Sequence, residues 1–461
     1  MLFKYDMKVS PLEFRYGREA VKKIFSEEER LKYMLEAEAL IAEAEGSLGV
    51  IPDWASQSIQ ETVHKNSITI DKVREIEKET RHDVMAIIRA LTDAAGAAGA
   101  FVHFGVTSQD INDTATAMQL KDFQEFLVAD IASLMKVLES LVKRYADTPM
   151  LGRTHGQHAS PITFGLKMAV FLSEMGRHLE RVREASKRYL VIKVMGPVGT
   201  GAFMGNKALD VQEYVARRLG VGWEQAPTQV VVRDRYVEFL QVIAGVATSL
   251  EKFTTEVRNL QRPEIDEISE YFETSSQVGS SAMPSKVNPV DSENVSSISR
   301  LIRSLVWPEL ESAVMWHERD LANSAVERFV IPYSCILVDY VLVKTTSIFS
   351  SLRVNTDRMK ENLARYDFSM SESLVHLLAQ EGVPRQEAHE IIRKASIRAR
   401  ENGQSLKEFV SKSSDFSSIA GEKVEKAFMP ENFLGVSGQI CSNVISHSRE
   451  LRKSVQEKGG D

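Results

Sequence analysis

The chain has 461 residues, of which 43% are hydrophobic and 26% are charged, the balance of an ordinary globular protein. Its formal net charge of -7 argues against a nucleic-acid-binding protein, because such proteins carry a basic excess. The stretch nearest to a membrane span, residues 85–106, is interrupted by Arg89, Asp93 and His103, and no signal-peptide pattern opens the chain. We therefore expect a cytoplasmic protein that binds neither nucleic acid nor membrane.

Long segments with helical periodicity dominate the middle of the chain. Residues 122–147 contain neither proline nor glycine, and apolar residues recur there in alternating steps of four and three. The same spacing recurs from Phe164 to Val182 and from Phe239 to Leu260, and further helices are predicted at residues 289–305 and 325–352. Strand-like alternation is scarce, so the sequence predicts an all-α protein with a central bundle of long helices.

Individual residues predict where these helices begin or bend, and the helix pattern suggests a division into domains. Ser160 and Pro161 are typical of an N-cap and a first helical position, and Pro332 predicts a kink. The bundle has more apolar surface than one chain can cover, which predicts association through the helices. We expect an N-terminal helical domain at 1–106, a central bundle domain at 107–354 with a loop at 271–289, and a C-terminal helical domain at 355–461.

Sequence motifs for metals and nucleotides are absent. The chain contains no GxxxxGK[ST], CxxC, HExxH or EF-hand pattern, so the sequence predicts no metal site. The glycine-rich segment at residues 196–205 has the wrong spacing for a dinucleotide loop, and no predicted strand precedes it. We interpret it as a structural turn.

Polar clusters lie at the ends of the predicted helices. They contain the residue types that bind anions or transfer protons. Taken singly, each cluster could also be a helix cap, a core hydrogen bond or a surface ion pair of little energetic value. The clusters contain Arg81, His82 and Asp83; His103, Thr107, Ser108 and Asp110; His155; and Arg319, Ser324 and Arg328.

The polar loop GSSAMPSKVNP, which ends at Pro289, stands out from the helical pattern. Asn288 and Pro289 are typical of the N-cap and first position of a helix, whose N–H groups and positive dipole end attract anions. Lys286 precedes that end, and Ser280 and Ser281 follow a glycine that lets the loop move. These residues favour binding of a carboxylate and removal of a proton beside it. The alternative is a serine-rich hinge between two helices.

The same loop resembles the GSSxMPxKxN pattern of the fumarase/aspartase superfamily of β-elimination lyases. Within that superfamily, SPLEFRYG, TRHDVMA, TSQDINDTA, GRTHGQHASPITFG and WHERDLANSAVERF resemble segments of the adenylosuccinate lyase family, in the same order. The resemblance extends from about Ser10 to about Gly435. Ser285 departs from it, because the family often has histidine there, and this puts one side contact in doubt.

The resemblance implies an elimination of fumarate from adenylosuccinate to leave AMP, and from SAICAR to leave AICAR, with no metal or organic cofactor. It also implies a homotetramer whose central helices form one shared bundle, with active sites built from segments of three subunits. In the implied mechanism Ser280 is the general base and His155 the general acid. Glu293 orients His155, while Lys286 and Asn288 stabilise the charge that develops on the substrate carboxylate.

The resemblance further implies a set of substrate contacts, which must hold one phosphate and two carboxylates. Arg15 and Tyr16 match the phosphate-binding pair, Ser281 matches a carboxylate ligand, and His82 is counted with both the catalytic and the binding residues. The other implied contacts are Arg81, Asp83, His103, Thr107, Ser108, Gln229, Arg319, Ser324 and Arg328.

Two other interpretations stay open from the sequence. A sister enzyme, such as an argininosuccinate lyase or a carboxymuconate cycloisomerase, would share the loop chemistry but would not need the phosphate-binding EFRYG segment. A catalytically silent structural tetramer is the second, and the presence of Ser280, His155, Lys286 and Glu293 argues against it.

Overall fold

A computed structural model of the chain describes residues 9–273, 282–283, 285–417, 419 and 421–456. Helices make up most of these residues, and the strands form three small two-stranded sheets. The all-α class predicted from the sequence is therefore confirmed. Ser280 and Ser281 lie outside the described residues.

The chain forms two compact units, each assembled from three separate segments. Unit 1 comprises residues 1–131, 178–250 and 297–343, and unit 2 comprises residues 132–177, 251–296 and 344–461. The division passes through the long helices, which are Ser108–Arg144, Phe164–Tyr189, Asp234–Leu260, Val290–Ser304 and Ala322–Ser350. The division at 1–106, 107–354 and 355–461 remains a prediction.

Each of the other α-helices belongs to one unit. Those of unit 1 are Pro11–Phe14, Glu19–Ile24, Glu27–Ser47, Asp53–His64, Ile70–Thr80, Asp83–Ala95, Ala208–Leu219 and Val306–Ser312. Those of unit 2 are Thr356–Arg365, Ser371–Gln380, Arg385–Glu401, Leu406–Lys412, Gly421–Ala427 and Ser437–Gln456. Single 3₁₀ turns occur at Gly96–Phe101, Gly205–Lys207, Asp367–Met370, Ser414–Phe416 and Pro430–Phe433.

The periodic apolar residues of the sequence form the cores of both units. Every predicted seam residue from Phe164 to Val182 and from Phe239 to Leu260 is buried. In unit 1 the ring of Phe239 packs against Tyr189, with centroids 4.8 Å apart. In unit 2 the rings of Phe171 and Phe253 stack at 4.1 Å. Aromatic contacts of this kind join the long helices within each unit.

One local prediction is wrong. Ser160 and Pro161 belong to the strand Gln157–Thr163, which pairs antiparallel with Pro149–Thr154, and the helix begins only at Phe164. The register of this hairpin shifts between Leu151 and Arg153. A proline is tolerated here because a two-stranded sheet consists only of edge strands.

The other sheets are shorter still. Val191–Ile192 pairs in parallel with Gly222–Trp223, and Ile268–Ser269 pairs antiparallel with Arg353–Val354. Within the described residues, one stretch, Asp83–Phe101, is long and apolar enough to cross a membrane, and half of it is buried inside the fold. A core helix of a water-soluble protein meets the same criterion, so this stretch is weak evidence for a membrane span.

Candidate functional site

The candidate residues fall into two groups, one in each unit. Unit 1 contains Arg15, Tyr16, Arg81, His82, Asp83, His103, Thr107, Ser108, Gln229, Arg319, Ser324 and Arg328. Unit 2 contains His155, Lys286, Asn288 and Glu293. The first group consists of the implied substrate contacts, and the second includes the implied acid and the carboxylate-binding lysine.

In unit 1, Arg15 and Tyr16 follow a one-turn helix whose start is closed by a capping box. The Ser10 side chain accepts from the backbone of Leu12, and Glu13 accepts from the backbone N–H of Ser10 at 2.8 Å. The Tyr16 ring packs edge-on against Tyr340, with centroids 5.2 Å apart. Arg15 itself is exposed. It lies between the capping box at Ser10 and the ring contact of Tyr16.

The next cluster lies where one helix ends and another begins. Arg81 adopts a left-handed conformation with φ 51° and ends the helix Ile70–Thr80. His82 caps the following helix, because its Nδ1 accepts from the backbone N–H of Met85 at 3.3 Å. An accepting Nδ1 assigns the proton of the neutral ring to Nε2.

Asp83 links this cluster to the helix Ala322–Ser350. One carboxylate oxygen accepts from the backbone N–H of Val84 at 2.8 Å, and the other pairs with Arg328. Burial raises the pKa of Asp83, but the Val84 N–H and Arg328 outweigh it, and the pKa is lowered. Asp83 is therefore an anion that forms an ion pair with the Arg328 guanidinium.

His103 is held by a buried carboxylate. Its Nδ1 lies 2.7 Å from Oε1 of Glu38, a side chain only 2% exposed. Burial lowers the pKa of His103, but Glu38 and then Asp110 raise it by more, so the net shift is upward. The backbone of His103 is left-handed, with φ 59°, an uncommon conformation for a residue other than glycine.

Thr107 and Ser108 open the longest helix of the chain. The backbone N–H of Thr107 donates to Oδ2 of Asp110 at 2.7 Å, which closes the start of that helix. Asp110, at the third position of the helix, therefore makes the capping contact that the sequence left open for this cluster. Asp110 is fully buried and also accepts from the backbone N–H groups of Met195 and Gly196 at 3.0 Å each.

Gln229 and Arg319 contact each other. Nη1 of Arg319 donates to Oε1 of Gln229 at 3.0 Å, and Nε2 of Gln229 donates to the carbonyl of Pro197 at 3.1 Å. With its amide oxygen turned toward the guanidinium, Gln109 also accepts from Arg319 at 3.0 Å. The pKa of Arg319 is lowered, first by burial. Ser324 lies in the first turn of the helix Ala322–Ser350.

In unit 2, His155 lies at the tip of the β-hairpin. His155 and Gly156 have φ values of 54° and 70°, and Thr154 pairs with Gln157 across them. Positive φ at both central residues is typical of a type I′ turn, which matches the twist of the flanking strands. The His155 side chain is exposed at this tip. The sequence placed His155 at the end of a predicted helix, whereas it lies between two strands.

Lys286 and Asn288 precede the helix Val290–Ser304, which begins one residue later than predicted. The sequence suggested that the first N–H groups of this helix are free for an anion. Instead, Glu270 accepts from the N–H groups of Asp291 and Ser292, at 3.2 and 2.6 Å. That expectation is wrong because a carboxylate of the chain already satisfies these donors.

Among the candidate residues of unit 2, the side chains of Lys286 and Glu293 are exposed. Lys286 belongs to a turn in which its N–H donates to the carbonyl of Met283 at 3.0 Å. Among the residues that the structure describes, no group of three or more histidine, cysteine, aspartate or glutamate side chains could hold a metal ion.

Sequence reasoning did not single out two buried cations, Lys193 and Arg233. Each follows an apolar run, LVI before Lys193 and VVV before Arg233, and a charged residue in such a position signals a buried ion pair. Their carboxylate partners are the buried Asp110 and Asp113, at 2.6 and 2.9 Å. These partners lie far away in the sequence, so spacing gave no indication of them.

Comparison with known proteins gives the family. A family model described as "Lyase" matches residues 13–303, and one described as "Adenylosuccinate lyase C-terminus" matches residues 367–444. An adenylosuccinate lyase from Pyrococcus abyssi is 39% identical over 97% of this chain and 99% of its own length. One from Methanothermobacter thermautotrophicus is 39% identical over 96% of this chain and 100% of its own. The chain belongs to the adenylosuccinate lyase family.

Solved structures of two other enzymes share the fold. A fumarate lyase from Mesorhizobium sp. BNC1 has a TM-score of 0.86 at 30% identity, over 93% of this chain and 98% of its own. A 3-carboxy-cis,cis-muconate lactonizing enzyme from Pseudomonas putida has a TM-score of 0.84 at 29% identity, over 95% and 98%. The fold is thus common to several chemistries, and the curated relatives distinguish the family within it.

Proposed function

We propose that this adenylosuccinate lyase family member cleaves adenylosuccinate to AMP and fumarate, and SAICAR to AICAR and fumarate. The observation that carries the proposal is the near full-length similarity to curated adenylosuccinate lyases. The site residues fit it, because Arg15, Arg81, Arg319 and Arg328 supply cations for a phosphate and two carboxylates on a chain of net charge -7.

The chemistry requires a base, an acid and a site for developing charge. In our proposal the Ser280 alkoxide removes a proton from the succinyl carbon next to a carboxylate, which takes up the electron pair as an aci-carboxylate. Lys286 and Asn288 stabilise this charge, and Ser281 binds the same carboxylate. The electron pair of the aci-carboxylate then forms the C=C bond of fumarate as the C–N bond breaks. The bonding pair goes to the nitrogen, which takes a proton from His155. Glu293 orients His155.

Two observations on the described residues support these roles. His155 is carried by a tight hairpin tip, which fixes its backbone while its ring is exposed. Lys286 stands in the turn before a helix whose first donors are occupied by Glu270. Lys286 and Asn288, and not the helix end, are therefore our candidates for charge stabilisation.

We also propose that the enzyme is a cytoplasmic homotetramer whose active sites combine residues of several subunits. Exposed apolar side chains support association, since Trp307, Val314, Trp316 and Leu321 are 67%, 74%, 75% and 72% exposed. Several large apolar side chains exposed within one short segment are typical of an interaction surface. The exposure of His155 and Lys286 also fits a site that other subunits complete.

A spectrophotometric assay tests the reaction. Purified enzyme is given adenylosuccinate, SAICAR, argininosuccinate, or fumarate with ammonia. We expect turnover of the first two only. Turnover of argininosuccinate alone would indicate a sister lyase, and no turnover of any substrate would indicate a silent structural protein.

Subunit mixing tests the shared site. Inactive His155→Ala and Ser280→Ala proteins are mixed, their subunits are exchanged, and activity is measured. If the two residues of one site come from different subunits, some sites in the mixed tetramers contain neither mutation and activity returns in part. A fully active monomer by light scattering would contradict the proposal.

A further inference from the structure

The segment from Gln229 to Arg233 is anchored in unit 1 by Lys193, a lysine with no exposed side-chain surface. Its Nζ lies 2.6 Å from Oδ1 of Asp110 and donates to the carbonyls of Gly196 and Gln229 at 2.8 Å each. An ammonium group has three donors, so all of them are used. Lys193 thereby joins the start of the helix Ser108–Arg144 to the backbone of Gln229.

The other end of the segment is anchored by Arg233, which is 1% exposed. Its guanidinium donates twice to Asp113, at 2.9 Å each, and twice to Glu327, at 2.7 and 3.0 Å. The fifth donor reaches the carbonyl of Val231 at 2.6 Å. All five N–H groups of the arginine are thus satisfied by chain atoms.

The two anchors act on the same short piece of backbone. Asp110 and Asp113 are one turn apart on one helix, and Asp113 also accepts from the N–H of Val231 at 2.7 Å. Backbone groups of Gln229 and Val231 are therefore fixed by the two ion pairs. The side chain of Gln229, between these fixed points and Pro197, accepts from Arg319.

Arg233 also reaches the helix that carries other implied substrate contacts. Its partner Glu327 accepts from Nδ2 of Asn323 at 2.6 Å. Asn323 and Glu327 directly precede Ser324 and Arg328 in the sequence. One guanidinium therefore joins the segment of Gln229 to the first turns of the helix Ala322–Ser350.

We propose that Lys193 and Arg233 are positioning residues that hold Gln229 and Arg319 in the arrangement that recognises the substrate. This inference rests on the proposed function of Gln229 and Arg319 as substrate contacts. The physical reason is that a guanidinium and an amide bind an anion well only if they are fixed before it arrives. Two buried ion pairs provide that rigidity, since neither cation can move without leaving a charge unpaired.

The first test is a double-mutant cycle on adenylosuccinate cleavage. Lys193→Met removes the charge at similar length, and Gln229→Ala removes the substrate contact. We expect each single variant to raise KM by about 10-fold or more with kcat changed less, because both act on binding remote from the bond that breaks. The KM of the double variant should be no higher than that of the more impaired single variant, because both changes remove the same contact.

Controls separate positioning from general damage. Lys193→Met combined with Arg15→Ala should give multiplied effects, since Arg15 lies on a different segment. Multiplied effects for Lys193→Met with Gln229→Ala, or an unchanged KM in a folded Lys193→Met protein, would overturn the proposal. If Lys193→Met does not fold, Arg233→Lys replaces it in the cycle. A lysine keeps the charge but cannot form the paired hydrogen bonds that Arg233 makes with both Asp113 and Glu327.

A second readout does not depend on activity. Hydrogen exchange of the backbone from Gln225 to Arg235 is measured by mass spectrometry in the wild type and in the Lys193→Met and Arg233→Lys variants. We expect faster exchange there and unchanged exchange in the helix Arg385–Glu401. Unchanged exchange of the segment would contradict the inference even if the enzyme cleaves adenylosuccinate. Faster exchange in a protein that cleaves no adenylosuccinate would retain the anchoring but remove the proposed function.

Discussion

The candidate residues of unit 1 and unit 2 are supported in opposite ways. In unit 1, two buried charges hold implied substrate contacts, Glu38 at His103 and Lys193 at the backbone of Gln229, and a partly exposed carboxylate, Asp83, pairs with Arg328. In unit 2, His155, Lys286 and Glu293 are exposed on a hairpin tip, a turn and a helix surface. The contrast indicates that His103 and Gln229 in unit 1 are held by buried charges, whereas the side chains proposed for the chemistry in unit 2 are open to solvent.

The largest expected effect lies in the chemistry assigned to the serine loop. Ser280→Ala should lower kcat by about 10²–10⁴-fold, the loss typical of an acid–base group, because it removes the proposed general base. Substrate should still bind, since the arginines of unit 1 are unchanged. Single-turnover cleavage of adenylosuccinate measures the rate, and calorimetry measures binding.

Ser281→Ala is the matched comparison for this loop. It removes only a carboxylate hydrogen bond, so its loss should be smaller and partly in KM. A nearly normal Ser280→Ala protein beside an inactive Ser281→Ala protein would reverse the two roles. If both variants stay active, the loop is a hinge and the base is one of the histidines, His82, His103 or His155.

The helices could be predicted from the sequence because local spacing determines them. The seam from Phe239 to Leu260 lies in one helix, and all of its predicted core residues are buried. The hairpin around His155 was missed in part, because Ser160 and Pro161 also fit a helix start. What decides there is the pairing of Pro161 with Leu151 across the turn, which the local pattern does not contain.

The site could be predicted only as a set of residue types. Resemblance gave Gln229 and Arg319, but their contact depends on residues 90 positions apart. The supporting charges are harder still, since Arg233 lies 120 positions from Asp113 in the chain. The occupation of helix donors by Glu270 could not be foreseen either, because it depends on a contact between residues 22 positions apart in the chain.

The second effect tests whether unit 1 is responsible for binding more than for rate. Arg15→Ala should raise KM for adenylosuccinate by about 10–100-fold, the value of a hydrogen bond to a charged group, with a smaller change in kcat. Steady-state kinetics measure both. The control is Arg393→Ala, which breaks a surface pair with Glu390 in unit 2 and should change neither. An unchanged KM in Arg15→Ala would remove the phosphate assignment.

The third effect concerns a buried carboxyl group of unit 1 and the pH dependence of the free energy of unfolding. Glu309 is fully buried, and neither carboxylate oxygen has a hydrogen-bond partner. Burial and then the nearby Glu327 raise its pKa from 4.5 to about 8. The folded state thus keeps a proton that the unfolded state releases, so the free energy of unfolding should fall as the pH rises from 4.5 to about 8.

Glu309→Gln should remove this loss. At pH 8 we expect the variant to be more stable than the wild type by about 1–3 kcal/mol, and near pH 4.5 we expect little difference. Urea denaturation at several pH values measures this. Glu311→Gln is the control, since Glu311 is exposed on the same helix. Equal shifts in the two variants would contradict the role of burial.

The smallest effect concerns the ion pair that holds His103. Its pKa is raised above the ordinary 6.5, because Glu38 and Asp110 outweigh the effect of burial. For a base with a raised folded pKa, the stabilisation is fully present below pH 6.5 and is lost as the pH rises through the folded value. Glu38→Gln keeps the acceptor oxygen but removes the charge, so the pKa of His103 should fall.

Denaturation between pH 5.5 and 8.5 should therefore show a smaller decline in the free energy of unfolding for Glu38→Gln than for the wild type. The control is Glu36→Gln on the same helix, whose partner His64 is 64% exposed and 3.8 Å away. Solvent screens that pair, so its removal should leave the pH dependence unchanged. If both variants behave alike, burial does not distinguish the two pairs, and the contrast between the fixed contacts of unit 1 and the exposed groups of unit 2 weakens at His103.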